Sequence, residues 1–133
     1  ATTEIYTLSL HDALPISGAD VTGEARFDDS IGVFPEFVDG YGVLMLPTTG
    51  RHFEIPLRAL IPKSVENLLV AGRCVSGDRL SHAAMRNMMA CTVTGQAAGA
   101  AAAVAARDGV APRALPASSV QAELQRQGIK CRL

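Results

Sequence analysis

The residues best suited to chemistry lie between positions 67 and 99, NLLVAGRCVSGDRLSHAAMRNMMACTVTGQAAG. A short apolar run at 68–71 stops at Gly72, and Arg73 and Cys74 follow. A continuous apolar run of this length predicts a strand buried on both faces of a parallel sheet. The carboxyl edge of such a sheet is where ligands bind in open α/β folds. Gly72 lacks a Cβ, so a ligand could touch its backbone. Arg73 offers a planar fork of donors to a phosphate, a carboxylate or sugar hydroxyls. The competing reading of Arg73 is a surface ion pair with Asp78 or Glu66.

The second half of this candidate site is the start of a helix predicted over 87–107. Arg86, Asn87, Met88 and Met89 sit at or before its first turn. The unbonded N–H groups and the positive dipole end there favour an anionic or electron-rich group. Met88 and Met89 otherwise read as core filler. His82 falls in the polar loop between strand and helix, beside Ser81, Arg86 and Asn87. It reads either as a structural histidine or, with Arg86, as a candidate for substrate contact or proton transfer. His52 has no such company and reads as structural.

The elements that must position these residues are legible in part. Gly95, Ala98, Gly99, Ala102 and Ala103 recur at helical spacing, which predicts a flat face for close packing on a sheet. Each glycine costs roughly 1 kcal/mol against alanine within a helix, so Gly95 and Gly99 point to close approach. Gly109 suits the position after the helix, with Arg107 at its negative end. Upstream, residues 17–30 are polar and mixed, and 31–39 reads as a loop or short edge element around Pro35. Strands are expected over 41–46 and 52–57, joined as a hairpin across Pro47–Arg51. Downstream, Ser118 and Gln121 form an S-x-x-Q capping box for a helix with Val120 and Leu124 facing inward, closed by Gly128.

Composition excludes several classes of function. The 133 residues are 48% hydrophobic and 19% charged, which marks a globular chain rather than a disordered one. A net charge of −1 with no basic run argues against a nucleic-acid partner. The longest apolar run, the ten residues 97–106, is too short to span a bilayer, so no membrane segment is predicted. Cys74, Cys91 and Cys131 stand 17 and 40 residues apart, which matches no zinc or iron–sulfur ligand pattern. Their odd number and the lack of a signal sequence predict reduced, buried thiols in the cytoplasm.

Residues 1–16, ATTEIYTLSLHDALPI, resemble one reading frame of a common short-read sequencing adapter. They are expected to be foreign to the fold, with the true N-terminal part of the protein missing. Setting Glu4 and Asp12 aside leaves 12 basic and 11 acidic residues, and removes His11 beside Asp12 from consideration as a catalytic pair.

IPLRALIPKSVENLLVAGRC, followed by SHAAMRNMMACTVTGQAAGAAAAVA, resembles the C-terminal part of FAD-dependent oxidoreductases. The branch resembled includes proteins similar to the heterodisulfide reductase flavoprotein, and the likeness runs from about Gly23 to Gly128. It implies an α/β fold: the end of a two-dinucleotide-binding-type FAD domain, with a last parallel strand, a small-residue helix and a preceding β hairpin. A β-rich connecting region would occupy 17–62 and the end of the FAD domain 63–133. In such relatives the strand ends in Ala-Gly-Glu or Ala-Gly-Asp, and the acid faces the flavin ribityl chain. Here Arg73 follows Ala71 and Gly72, so that carboxylate–hydroxyl bond cannot be carried over.

The resemblance further implies backbone amides of Arg86, Asn87, Met88 and Met89 at the flavin N1/O2 edge. Gly95 and Gly99 match close-packing glycines of that helix. FAD and a small organic substrate are the implied partners. Some relatives carry 4Fe–4S clusters, but the four-cysteine motif is absent from these residues. No G-x-G-x-x-G follows a strand either, which places the nucleotide-binding half upstream. Two alternatives stay open: a truncated α/β piece that binds no cofactor alone, and a nicotinamide-dependent oxidoreductase. The substrate, electron acceptor and oligomeric state are not legible.

Overall fold

The structure, a computed structural model, describes residues 16–40 and 42–132. Its strands form two nested antiparallel pairs. The outer pair is β1, Ser30–Pro35, with β4, His52–Pro56. The inner pair is β2, Val38–Gly40, with β3, Val43–Met45. Phe34 lies opposite Phe53, both fully buried, with their rings edge to face at 5.8 Å between centroids. That pair and the buried Ile31 and Ile55 close the outer sheet over the core.

This nesting corrects two expectations. Where a loop or short edge element is expected over 31–39, the chain forms the strands β1 and β2, and the segments around Pro47 do not pair with each other. β3 pairs back on β2, while β4 passes over to β1. Local turn chemistry suggests the neighbouring pair, but burial of the two phenylalanines decides the partner. Both sheets are antiparallel. The one parallel contact described is a bridge between Ile16 and Gly77.

Among the described residues, four α-helices pack around these sheets. The first, α1, Gly18–Thr22, starts with Ser17 and Asp20 bonded reciprocally as a capping box. The second, α2, Arg79–Met85, is capped by Asp78, whose carboxylate accepts the Ser81 N–H at 2.8 Å. Then come α3, Met88–Asp108, and α4, Ala117–Arg126. In α2 the buried Ala83, Ala84 and Met85 cover β2. The segment holding His82 is therefore a helix, not a loop.

The third helix agrees closely with its prediction, and Gly109 ends it in the left-handed conformation at φ 66°. Val120 and Leu124 of α4 are buried as expected. Its N-cap is Pro116, however, with no capping box. Gln121 instead donates to the carbonyls of Asp28 and Ser30, which ties α4 to the start of β1.

The packing face of α3 is not the one its glycines suggest. Ala90, Thr94, Ala97, Ala101 and Val104 are buried, and the helix packs on β1 and α4. Gly95, Gly99, Ala102 and Ala103 are exposed. A Cβ added at Gly95 or Gly99 would meet nothing within 4 Å. The close approach comes instead from the sheet, where a Cβ at Gly32 would fall 2.5 Å from Val93 Cγ1. Alanine surrounds the whole helix, so small size alone does not mark its inner side. The full helix has 21 residues and passes a membrane span's length and composition test, although 39% of its apolar window is buried within the chain.

Ile16, the last residue of the adapter-like stretch, is 1% exposed, and its carbonyl accepts the Ser81 hydroxyl. The remainder of that stretch lies outside the described residues. The cysteines differ from one another. Cys131 is buried and its thiol is pushed up by burial, Cys91 is half-buried, and Cys74 is exposed, contrary to expectation.

Candidate functional site

Residues 68–71 do not form the expected strand. Val70 donates its N–H to the Leu60 carbonyl at 2.9 Å, and no ladder develops among the described residues. A central parallel strand needs partners on both edges. The described residues supply one such bond.

The chain then turns sharply. Gly72 sits at φ +66°, a conformation that favours glycine, and opens a 3₁₀ turn over Gly72–Cys74. The Gly72 N–H donates to Thr94 Oγ1 at 2.9 Å, and its carbonyl accepts the Val75 N–H at 3.2 Å. Thr94 is fully buried on α3, and its hydroxyl reaches the Ala90 and Cys91 carbonyls at 3.0 and 3.1 Å. This threonine anchors the turn to the helix. Sequence reasoning does not single it out, although a lone hydroxyl on the inner side of an alanine helix is a signal for such a bond. Cys91 Sγ lies 3.8 Å from the Cβ position of Gly72, so the turn sits beside the first turns of α3. Arg73 and Cys74 project into solvent.

The start of α3 is more specific than its sequence suggests. The Arg86 N–H is taken by the His82 carbonyl at 3.0 Å, and that of Asn87 by Ala84 at 3.2 Å. Cys91 bonds back to the Asn87 carbonyl at 2.9 Å. The N–H groups of Met88 and Met89 therefore remain open among the described residues, while Ala90 is fully buried. Met88 and Met89 are 81% and 64% exposed, so they are not core filler.

Asn87 and Arg86 fix this helix start to the hairpin. The Asn87 side-chain amide donates to the carbonyls of Phe37, Ala83 and Ala84 at 3.4, 3.1 and 3.0 Å. Arg86 donates from Nη2 to the Asp39 carbonyl and lies against Gly40, where a Cβ would stand 2.7 Å from that nitrogen. No carboxylate pairs with Arg86 among the described residues. His82 is half-buried on α2, one turn before Arg86.

Asp78 is a second residue whose role the sequence hides. Its Oδ2 accepts the Gly18 N–H at 2.7 Å, while Oδ1 accepts the Ser81 N–H and hydroxyl. Partial burial opposes its charge. Bonds from the backbone of Gly18, from the backbone and hydroxyl of Ser81 and from the backbone of Leu80 outweigh that penalty and hold the carboxyl below its usual range. Asp78 is thus bound to α1 and α2, and Arg73 has no ion pair with it or with Glu66.

Gly95 lies farther along α3, on the exposed face. That face borders a hollow of ≈ 650 Å³ lined by Asn67, Leu69, Ala98, Ala102 and Pro112 among others. His52 is half-buried at the start of β4. Among the described residues, no three or more His, Cys, Asp or Glu side chains gather as a metal site.

The donor set suits an electron-rich planar group: open amides at a long helix start, a bare left-handed glycine beside it, and exposed methionine side chains. The family model for FAD dependent oxidoreductase matches residues 12–124, beginning inside the adapter-like stretch. No curated protein and no solved structure matches the chain. With that model covering most of its length, the chain belongs to the FAD-dependent oxidoreductase family.

Proposed function

We propose that this chain forms the flavin-ring side of an FAD site, as the C-terminal part of an oxidoreductase from the branch similar to the heterodisulfide reductase flavoprotein. The parent enzyme passes hydride or electrons between an organic substrate and flavin. The reading rests on the open N–H groups of Met88 and Met89, at the positive end of α3. Such donors favour the negative charge that gathers at the N1/O2 edge of a reduced flavin.

FAD, when bound, supplies the redox chemistry. The chain's own residues position and shield. Thr94 holds the Gly72 turn, Asn87 fixes where the helix begins, and Met88 and Met89 offer apolar surface beside the open amides. Arg86 and His82 are the residues proposed to meet substrate or carry a proton. These residues contain no Gly-rich phosphate loop, so the reading assigns the nucleotide half of the site to polypeptide outside them. Cytoplasmic placement belongs to the same reading.

Met88→Pro tests this directly. Proline at the first helical position, after the extended Asn87, removes one donor and leaves the helix intact. Titration of the full chain with FAD, read by quenching of flavin fluorescence, should show affinity about tenfold weaker for the variant, the scale of one hydrogen bond to a charged group. An unchanged affinity would reject the helix start as the ring site.

A second reading has one observation in its favour. Residues 68–71 are bonded through Val70 alone, and the outer face of α3 is bare. The chain by itself then binds no cofactor, and a wild-type protein that takes up no added FAD would establish that outcome.

A further inference from the structure

We propose that Met88 and Met89 are an oxidation site for hydrogen peroxide, and that their conversion to sulfoxides closes the donors at the start of α3. The oxidation stands on exposure; the closure rests on the ring placement above. The chain has four methionines, at 45, 85, 88 and 89. Met85 is 1% exposed, and Met45 is partly buried against the core. Met88 and Met89, at 81% and 64%, leave their side chains in solvent. Helix geometry puts them there. The inner face of α3 runs through Ala90, Thr94 and Ala97, and at about 100° per residue positions 88 and 89 fall outside it. Met88 shares the outer side with the exposed Thr92, Gly95 and Gly99. Just before the pair, Arg86 and Asn87 are tied to the carbonyls of Asp39 and Phe37, so the helix start cannot turn to bury them.

A thioether sulfur needs only solvent access to react with peroxide. The sulfur lone pair takes one oxygen atom, the O–O bond breaks, and water leaves. Sulfur is oxidised and peroxide is reduced. The product carries a polar, electron-rich oxygen where the tip was apolar. The open N–H groups of the same two residues favour an electron-rich ligand edge. A sulfoxide oxygen beside them competes for these donors and repels such an edge. Neither side chain belongs to the core, so oxidation changes the site and leaves the fold.

The full chain is treated with dilute hydrogen peroxide, and each methionine is followed by peptide mass spectrometry. Met88 and Met89 should each gain one oxygen atom while Met45 and Met85 stay unmodified. If Met45 or Met85 oxidises as fast, the site assignment is overturned. Titration with FAD, read by flavin fluorescence, tests the closure. Affinity should fall about tenfold on oxidation, the scale of one hydrogen bond to a charged group. A thiol reductant, which reverses sulfenic or disulfide oxidation at the accessible Cys74 and Cys91, should not restore it, whereas methionine sulfoxide reductases should. The double variant Met88→Leu with Met89→Leu has no sulfur at the site, so its own affinity should be the same before and after peroxide. An unchanged wild-type affinity, a loss that the thiol reductant repairs, or an equal loss in the double variant overturns the closure and leaves the ring site standing. An untreated wild type that takes up no FAD overturns the ring placement, and the closure falls with it.

Discussion

The two long faces of α3 are built from nearly the same small residues and meet opposite surroundings. On the inner face, Ala97 and Ala101 are fully buried against the sheet side of the molecule, with Thr94 holding the Gly72 turn. On the outer face, Gly95, Gly99, Ala102 and Ala103 are exposed, and the helix borders an open hollow. Side-chain size is therefore not what separates them. The bulkier and polar residues at 94 and 104, and the glycine on β1, select which face turns inward. A small-residue face permits close contact without dictating what provides it.

Overpacking gives the strongest test of this contrast. Ala101→Leu should destabilise the chain by about 1–3 kcal/mol, as added volume does in a packed interior. Ala102→Leu, one residue on, should stay within about 0.5 kcal/mol. Urea unfolding of the two variants checks the difference, and equal losses would mean the outer face is covered in solution. An effect of similar size but more local is expected at Thr94. Thr94→Val leaves the Gly72 N–H without its partner, at a cost of about 1–3 kcal/mol. Amide exchange at Gly72 should accelerate with it, and Thr94→Ser should restore protection. If exchange at Gly72 is unaltered, the threonine does not hold the turn.

The smallest effect has the opposite sign. Gly95→Ala and Gly99→Ala meet no neighbouring atom and remove backbone freedom from a helix interior. Each should raise stability by up to about 1 kcal/mol, seen as a higher melting temperature. A loss instead of a gain would reveal a neighbour packed against that face.

Much of α3 is legible in the sequence because its signals are local. Its bounds differ by one residue from those its pattern predicts, and Gly109 ends it in the left-handed conformation that its position predicts. The start of the site is legible only in outline. Arg86 and Asn87 group with Met88 and Met89 by spacing, yet their N–H groups are closed off by α2, a helix the apolar pattern does not announce. Asp78 signals that helix as an N-cap three residues before Ser81, but its closeness to Arg73 in sequence points to an ion pair instead. The strand pairing fails for a different reason. Turn residues near Pro47 describe a bend, whereas the partner of each strand depends on which side chains must be buried together, such as Phe34 with Phe53.

By itself, the sequence determined a helix over 87–107, one residue off the observed 88–108, the break at Gly72 and the concentration of basic and backbone donors between 72 and 90. Those features follow from local propensity, capping and glycine geometry, which act over a few residues. The tertiary structure alone decided that Met88 and Met89 carry the open amides, that Arg73 is uncommitted while Arg86 is bound, and that the inner face of α3 runs through Ala90 and Thr94. Each of these depends on which distant group satisfies a donor or covers a surface, and that is settled only when segments far apart in the chain compete for the same partners.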